Sequence, residues 1–125
     1  GLHHAADPVL GQRRQLMARF NELLEQRFRD NPTVAELARE LHVSEARLRS
    51  ACLASTGQSP IQLIHARLLV EAKRQLHYTS SPVSEVAYAL GFGDPAYFTR
   101  FFTRLAGESP RAFRKRGPGR PAARL

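Results

Sequence analysis

The sequence predicts an all-α protein of about seven helices, on three observations. Helix-start signals recur along the chain, apolar residues between them repeat at helical spacing, and no stretch shows the sustained two-residue alternation of a half-buried strand. In addition, residues 33–60 and 82–110 are two versions of one pattern. The 125 residues are enough to bury a core without disulfides or metal, and a single cysteine excludes an internal disulfide.

The predicted helix starts are marked by a capping side chain, usually followed by proline. Ser and Asp are favoured at the N-cap, and proline at the first helical position, where its missing N–H would be unpaired anyway. Thr33 with Glu36 and Ser59 with Gln62 have the spacing of capping boxes, and Ser44 is a further cap. The cap–proline pairs are Asp7-Pro8, Ser59-Pro60, Ser81-Pro82, Asp94-Pro95 and Ser109-Pro110.

These starts define the order of the helices. The first runs from Pro8 or Gln12 to Arg29, where Asn31-Pro32 ends it. The fourth has an apolar stripe that begins at Ile61 and is the only segment long enough to bridge the two repeat units. The second to seventh helices are predicted at about 34–41, 45–55, 60–77, 82–90, 95–105 and 110–114.

The two copies align without a gap except at the centre, where the offset between them changes by one residue. Val34 matches Val83 at an offset of 49 residues, and beyond the centre Leu48 matches Phe98 at an offset of 50. The slip falls where a connecting turn absorbs it. A duplicated pair of short helices in a basic chain indicates two similar probes held against one repetitive surface. Double-stranded DNA is the obvious candidate for that surface.

Each copy has the features of a helix-turn-helix. The first helix needs a small residue where the two axes cross closely, and Ala38 and Ala87 supply it. The turn needs a residue that tolerates positive φ, which is Gly91 in the second copy and His42, at some cost in strain, in the first. The second helix of each copy then buries one face and exposes the other. The predicted buried residues are Leu48, Ala51 and Cys52 in one copy and Phe98, Phe101 and Phe102 in the other.

The charge of the chain favours a polyanion as its partner. The net charge is +8 and the isoelectric point is near 11. No apolar run reaches the roughly 20 residues that span a bilayer, and the arginines are not stacked opposite one apolar stripe as on a membrane-surface helix. The alternative use of this charge is a basic α-helical protein-interaction module that binds an acidic partner.

An enzyme is disfavoured, because no nucleophile–base constellation, metal-ligand spacing or phosphate loop is present. We therefore expect no catalytic residue, no metal and no cofactor. Cys52 occupies a core-facing position and is expected to be a small buried hydrophobe.

The outward faces of the third and sixth helices are the predicted base-reading surfaces. Recognition in the major groove uses arginines that reach guanine and small residues that accept a thymine methyl group. One exposed arginine is more often simply solvated, but two equivalent faces in a duplicated basic unit reverse that preference. The predicted base contacts are Glu45, Ala46, Arg47, Arg49, Ser50, Pro95, Ala96, Tyr97, Thr99 and Arg100. The predicted phosphate contacts, at helix starts and in the basic cluster that follows the sixth helix, are Thr33, Ser44, Ser59, Ser81, Arg104, Ser109, Arg111, Arg114, Lys115 and Arg116.

Two blocks in the second copy carry a resemblance to a known family. They are GF-x-D-x-x-YF-x-R-x-F, from Gly91 to Phe102, and G-x-SP-x-x-FR, from Gly107 to Arg114. With them, residues 83–114 resemble the second helix-turn-helix of the AraC/XylS family of bacterial transcription regulators, and the likeness extends over about 12–116. It implies two helix-turn-helix subdomains joined by a long linker helix, with recognition helices in successive major-groove turns on one face of the duplex.

The resemblance also implies partners and a location. We expect promoter DNA as the ligand, RNA polymerase as a further partner, a role as activator or repressor, and a cytoplasmic, nucleoid-associated bacterial protein. Family members usually carry an effector-binding or dimerisation domain before this one, so the full-length protein is expected to be longer. The first recognition helix departs from the family in having Ala46 and Ser50 at base-facing positions. Arg49, with Glu45 or Arg47, is therefore expected to do most of the reading there.

The expected domain organisation has three parts. Residues 1–11 are a linker or remnant, 12–116 the double helix-turn-helix domain, and 117–125 a basic flexible tail in which Gly119-Arg120-Pro121 partly matches a minor-groove hook. Within the domain, the first unit is about 12–58, the linker helix about 60–77 and the second unit about 81–116.

Overall fold

The computed structural model describes residues 8–119, and within them it contains seven α-helices and no strand. One 3₁₀ turn, Phe28–Asp30, follows the first helix. The all-α prediction is confirmed, and none of the helices in this range is long and apolar enough to cross a membrane. The helices are α1 Pro8–Arg27, α2 Val34–Glu40, α3 Glu45–Thr56, α4 Pro60–Tyr78, α5 Val83–Ala89, α6 Pro95–Ala106 and α7 Pro110–Arg116.

Helix α1 begins at Pro8, the earlier of its two predicted starts, and ends before the predicted end at Arg29. Residues 8–11, expected to belong to a linker, form its first turn. Its predicted cap Asp7, and most of the predicted tail, lie outside the described residues. At the other end the α-helix stops at Arg27, and the 3₁₀ turn carries the chain to Asp30.

Predicted caps start most of the other helices. Each accepts a hydrogen bond from a main-chain N–H in the first turn of its helix: Thr33, Ser44, Ser59, Asp94 and Ser109. The prediction that Ser81 caps a helix is wrong. Pro82 occupies the N-cap position of α5, because its carbonyl accepts the first helical hydrogen bonds, from the N–H groups of Glu85 and Val86. No side chain caps this helix.

The chain divides into two compact units, with the boundary inside α4. Among the described residues, the first unit is 8–28 with 32–65, and the second is 29–31 with 66–119. In the first, α1 packs against α2 and α3; in the second, α6 packs against α5 and α7. The six predicted core residues of α3 and α6 are all buried, but Ile61 is 41% exposed, so the apolar stripe of α4 begins only at Ile64.

The two helix-turn-helix turns have the same backbone geometry. Ala38 and Ala87 are buried at the helix crossings, as predicted. His42 and Gly91 both have positive φ, +58° and +79°. The residue after each turn donates its N–H back to the alanine carbonyl, at 3.1 Å in the first copy and 3.0 Å in the second. The duplication therefore preserves the turn that orients each second helix.

The second unit buries one carboxylate that the sequence did not reveal. Glu71 on α4 is 4% exposed and accepts hydrogen bonds from Arg74, at 3.0 and 2.6 Å, and from Gln75, at 3.0 Å. The Arg74 hydrogen bonds outweigh the effect of burial and lower the pKa of Glu71 to about 2. Glu71 is thus a charged, fully bonded part of the core.

Candidate nucleic-acid interface

The outer face of α3 is exposed over the whole predicted base-reading set. Burial of Leu48, Ala51 and Cys52 fixes the rotation of the helix, which turns Glu45, Ala46, Arg47, Arg49 and Ser50 outward. Burial also raises the pKa of the Cys52 thiol to about 11, so this cysteine is protonated and shielded. Cys52 therefore offers no reactive thiol at this face.

Two grooves run along the flanks of α3. On one flank Glu45, Ala46 and Arg49 line a groove of about 250 Å³ with Ser59 and Pro60, where α4 begins. On the other flank Arg47 and Ser50 line a groove of about 410 Å³ together with residues of α1. The five predicted base contacts of α3 are consequently split between its two sides.

The outer face of α6 combines cations with one aromatic ring. Ala96, Tyr97 and Arg100 are exposed, whereas Pro95 and Thr99 are half-buried. Tyr97 is 54% exposed, although the centroid of its ring lies 5.7 Å from that of Phe92. The Arg100 guanidinium lies 5.9 Å from the centroid of the Tyr97 ring. Tyr97 is therefore partly packed, and its exposed ring lies next to the Arg100 guanidinium.

The arginines on these two faces are available to an external anion. Among residues 8–119, neither Arg47 nor Arg49 on α3 forms an ion pair with a carboxylate, and the same holds for Arg100 and Arg104 on α6. Cations without an internal counter-ion are what a phosphate or base-edge contact requires.

The basic cluster of α7 is less available than its composition indicated. Arg114 donates from Nε to the Leu76 carbonyl at 2.8 Å and from Nη2 to the Thr79 carbonyl at 3.4 Å, so it caps the end of α4. Arg116 pairs with Glu108 at 2.8 Å. Both remain half-buried, whereas Arg111 and Lys115 are exposed. Counting charges in the sequence did not distinguish these two classes.

The predicted phosphate-binding caps also differ in exposure. Thr33 and Ser44 are exposed at the starts of α2 and α3, Ser109 is half-buried, and Ser59 is only 8% exposed. Arg104 is exposed on α6. Sequence reasoning missed Gln12 and Arg13, which line the groove beside Arg47. No pattern marked them, because α1 lies outside the repeat.

This architecture defines a duplicated helix-turn-helix DNA-binding domain, and comparison with known proteins gives the family. A family model described as "Helix-turn-helix domain" matches residues 37–116. The chain belongs to that family and is a DNA-binding domain of the AraC/XylS type, which confirms the resemblance. Within residues 8–119 no group of three or more His, Cys, Asp or Glu side chains is placed to hold a metal ion.

Relatives and solved structures agree with this assignment. The chain is 35% identical to the ornithine utilization regulator of Pseudomonas aeruginosa over 80% of this chain and 29% of that protein. It is 32% identical to a putative AraC-like transcription regulator of Streptomyces antibioticus, over 66% of this chain and 27% of that protein. The DNA-binding domain of AdpA, a global transcriptional factor solved in complex with a target DNA, matches with a TM-score of 0.71 and 28% identity. That match covers 80% of this chain and 89% of the AdpA chain. The part of this chain that matches the Pseudomonas and Streptomyces regulators covers less than a third of the length of either protein.

Proposed function

We propose that this domain binds double-stranded promoter DNA in a sequence-specific manner and thereby regulates transcription. In this proposal α3 and α6 enter successive major-groove turns on one face of the duplex, and residues 12–116 make up the DNA-binding domain. The observation that carries the proposal is the repeated exposed face. Two helices in equivalent positions of duplicated units both present arginines that have no carboxylate counter-ion among residues 8–119.

The base contacts are assigned from the exposure of each side chain. In the first unit Arg49 is the principal reader, with Glu45 able to accept a hydrogen bond from cytosine and Ala46 able to contact a thymine methyl group. In the second unit Arg100 is the principal reader, and Tyr97 and Ala96 supply apolar contact. Pro95, Thr99, Arg47 and Ser50 complete the proposed set of contacts.

The phosphate contacts are assigned to exposed cations and to helix starts. Arg104, Arg111 and Lys115 are exposed and carry the main electrostatic contribution. Thr33, Ser44, Ser59 and Ser109 mark helix N-termini, whose free N–H groups favour anions; Ser81 no longer belongs to this group, because it is not a cap. Arg114 and Arg116 are held by internal partners and contribute mainly through the long-range electrostatic attraction of their charge. If about six phosphates are neutralised, the binding constant falls with salt with a logarithmic slope of roughly −5.

The wider role rests on the relatives, whose names are those of transcription regulators. We assign RNA polymerase as a partner, an effector-binding or dimerisation domain elsewhere in the full-length protein, and a cytoplasmic, nucleoid-associated location. The short span of this chain relative to the regulators it matches supports the additional domain.

Selection from a randomised duplex pool tests the proposal. We expect the wild type to enrich two half-sites about one helical turn apart. Arg49→Ala and Arg100→Ala serve as each other's controls, because each should relax one half-site and leave the other intact. Salt-sensitive binding that enriches no sequence would refute the proposed reading and favour a basic protein-interaction module.

A further inference from the structure

The groove between α1 and α3 in the first unit contains two of the proposed base contacts, Arg47 and Ser50, but its α1 side has no role in the contacts assigned so far. Its lining comes equally from the two helices, and in each helix the four lining positions follow the i, i+3, i+4, i+7 pattern of one helix face. They are Val9, Gln12, Arg13 and Leu16 of α1 and Arg47, Ser50, Ala51 and Ala54 of α3.

The groove has an apolar floor and basic walls. Leu16 and Ala51 are buried beneath it, at 3% and 6% exposure. Arg13 is half-buried and Arg47 is exposed, and neither forms an ion pair within residues 8–119. Two guanidinium groups that share a groove without a carboxylate between them repel each other, so an anion placed there is stabilised by both.

The second unit shows what α1 adds to the first. The equivalent depression on α6 is lined by Tyr97, Arg100, Phe101 and Arg104. At the repeat offset of 50, α3 has Ser50 in place of Arg100 and Ala54 in place of Arg104. The α6 depression thus has two arginines from one helix. The first groove also has two, but only because Arg13 reaches it from α1.

The geometry of DNA places a phosphate strand at this groove. The major groove is about 12 Å wide, and a helix with its side chains is about 10–12 Å across. A recognition helix in that groove therefore has one phosphate strand along each flank. The α1 helix packs against the flank of α3 that carries Arg47. With α3 in the major groove, the first turns of α1 would therefore lie beside one of those strands.

We propose that Arg13 of α1 is a DNA phosphate contact, and that with Arg47 it supplies the charge that α6 carries on its own helix. The inference rests on the proposed function, because it requires α3 to lie in the major groove. It extends the DNA interface to a helix segment outside the repeat and outside the residues that the family model matches. Gln12, in the same groove, provides an uncharged donor for the same phosphate strand.

The matched test compares Arg13→Ala with Arg14→Ala in the full chain. Both remove one charge from the same turn of α1, but Arg14 is exposed and does not line the groove. The probe is the duplex that the wild type enriches, titrated over a salt series. Arg13→Ala should reduce the salt slope by about 0.9 and, at fixed salt, weaken binding roughly tenfold for any sequence. Arg14→Ala should change neither quantity appreciably.

A transplanted charge distinguishes a phosphate contact from a loss of local structure. Arg13→Ala with Ala54→Arg puts the cation where α6 has Arg104, and it should restore the slope and the affinity. Equal effects of Arg13→Ala and Arg14→Ala would overturn the inference, and so would a defect that the second substitution does not repair. A wild type without sequence preference would instead refute the proposed function, so the two failures are separable.

Discussion

One added methyl group in the turn of the second helix-turn-helix, in the variant Gly91→Ala, should lower the stability of the protein substantially. Gly91 has a φ of +79°, and a Cβ built on it lies 2.7 Å from the Asp30 carbonyl carbon and 2.9 Å from its oxygen. The Arg29 carbonyl oxygen is 3.0 Å away. All three are main-chain atoms, which do not swing aside as a flexible side chain does. Gly91→Ala therefore imposes left-handed strain and steric overlap together.

The magnitude follows from these two penalties and one offset. A non-glycine residue in the left-handed region costs about 1–2 kcal/mol. Overlap in a packed region costs about 1–3 kcal/mol more. The lower entropy of alanine in the unfolded chain returns about 0.4–1 kcal/mol. We expect Gly91→Ala to lower the free energy of unfolding by about 2–4 kcal/mol, a large share of the roughly 5–15 kcal/mol of a typical domain.

Gly107 provides a control within the same unit. Its φ is +81°, but an added Cβ meets no atom within 4 Å. Gly107→Ala should therefore show the strain alone, about 1 kcal/mol after the entropy offset. Urea unfolding followed by far-UV circular dichroism measures both variants, with equal m-values as the check that only stability has changed. Equal costs for the two variants would mean that the backbone of Arg29 and Asp30 does not constrain Gly91.

Three further measurements examine other local features. The pKa of Glu71, lowered to about 2 by Arg74, lies below its unfolded value, so its contribution to stability is present above about pH 4.5 and is lost as the pH falls towards 2. Glu71→Gln should flatten that part of the stability curve in urea unfolding at several pH values; an unchanged curve would remove the pair as its cause. Because Cys52 is buried with its pKa raised to about 11, a disulfide reagent at pH 8 should react only after unfolding, and rapid reaction of the native protein would contradict that burial. His42→Gly, which relieves a non-glycine φ of +58°, should raise the free energy of unfolding by up to about 1 kcal/mol, and a thermal midpoint below that of wild type would count against strain at the turn.

The helices were predictable because their start signals are local. A serine or aspartate that accepts an N–H two or three residues later is visible in the sequence, and Ser44, Asp94 and Ser109 behave in this way. The exception, Ser81, shows the limit of the rule. Pro82 is compatible with either the N-cap or the first helical position, and nothing local decides between them.

The candidate site was only partly predictable, because tertiary contacts decide which charges are free. Arg114 is bound to the carbonyls that end α4, 35 and 38 residues earlier in the chain, and Arg116 is held by Glu108. No local pattern distinguishes these two arginines from Arg111 beside them. The proposed role of α1 is hidden for the same reason, since Arg13 and Arg47 come to line one groove only through helix packing.

The two helix-turn-helix copies agree more closely in the residues that set their backbone geometry than in the residues on their exposed faces. Their turns, helix crossings and buried faces correspond, because a change in any of them would reorient the second helix. The exposed faces are free of that constraint. Ser50 on α3 stands where α6 has Arg100, whereas Arg49 on α3 stands where α6 has Thr99, so the two helices present different hydrogen-bonding groups to the base edges. We therefore expect the two half-sites to differ in sequence, because each helix places its principal arginine at a different position on its exposed face.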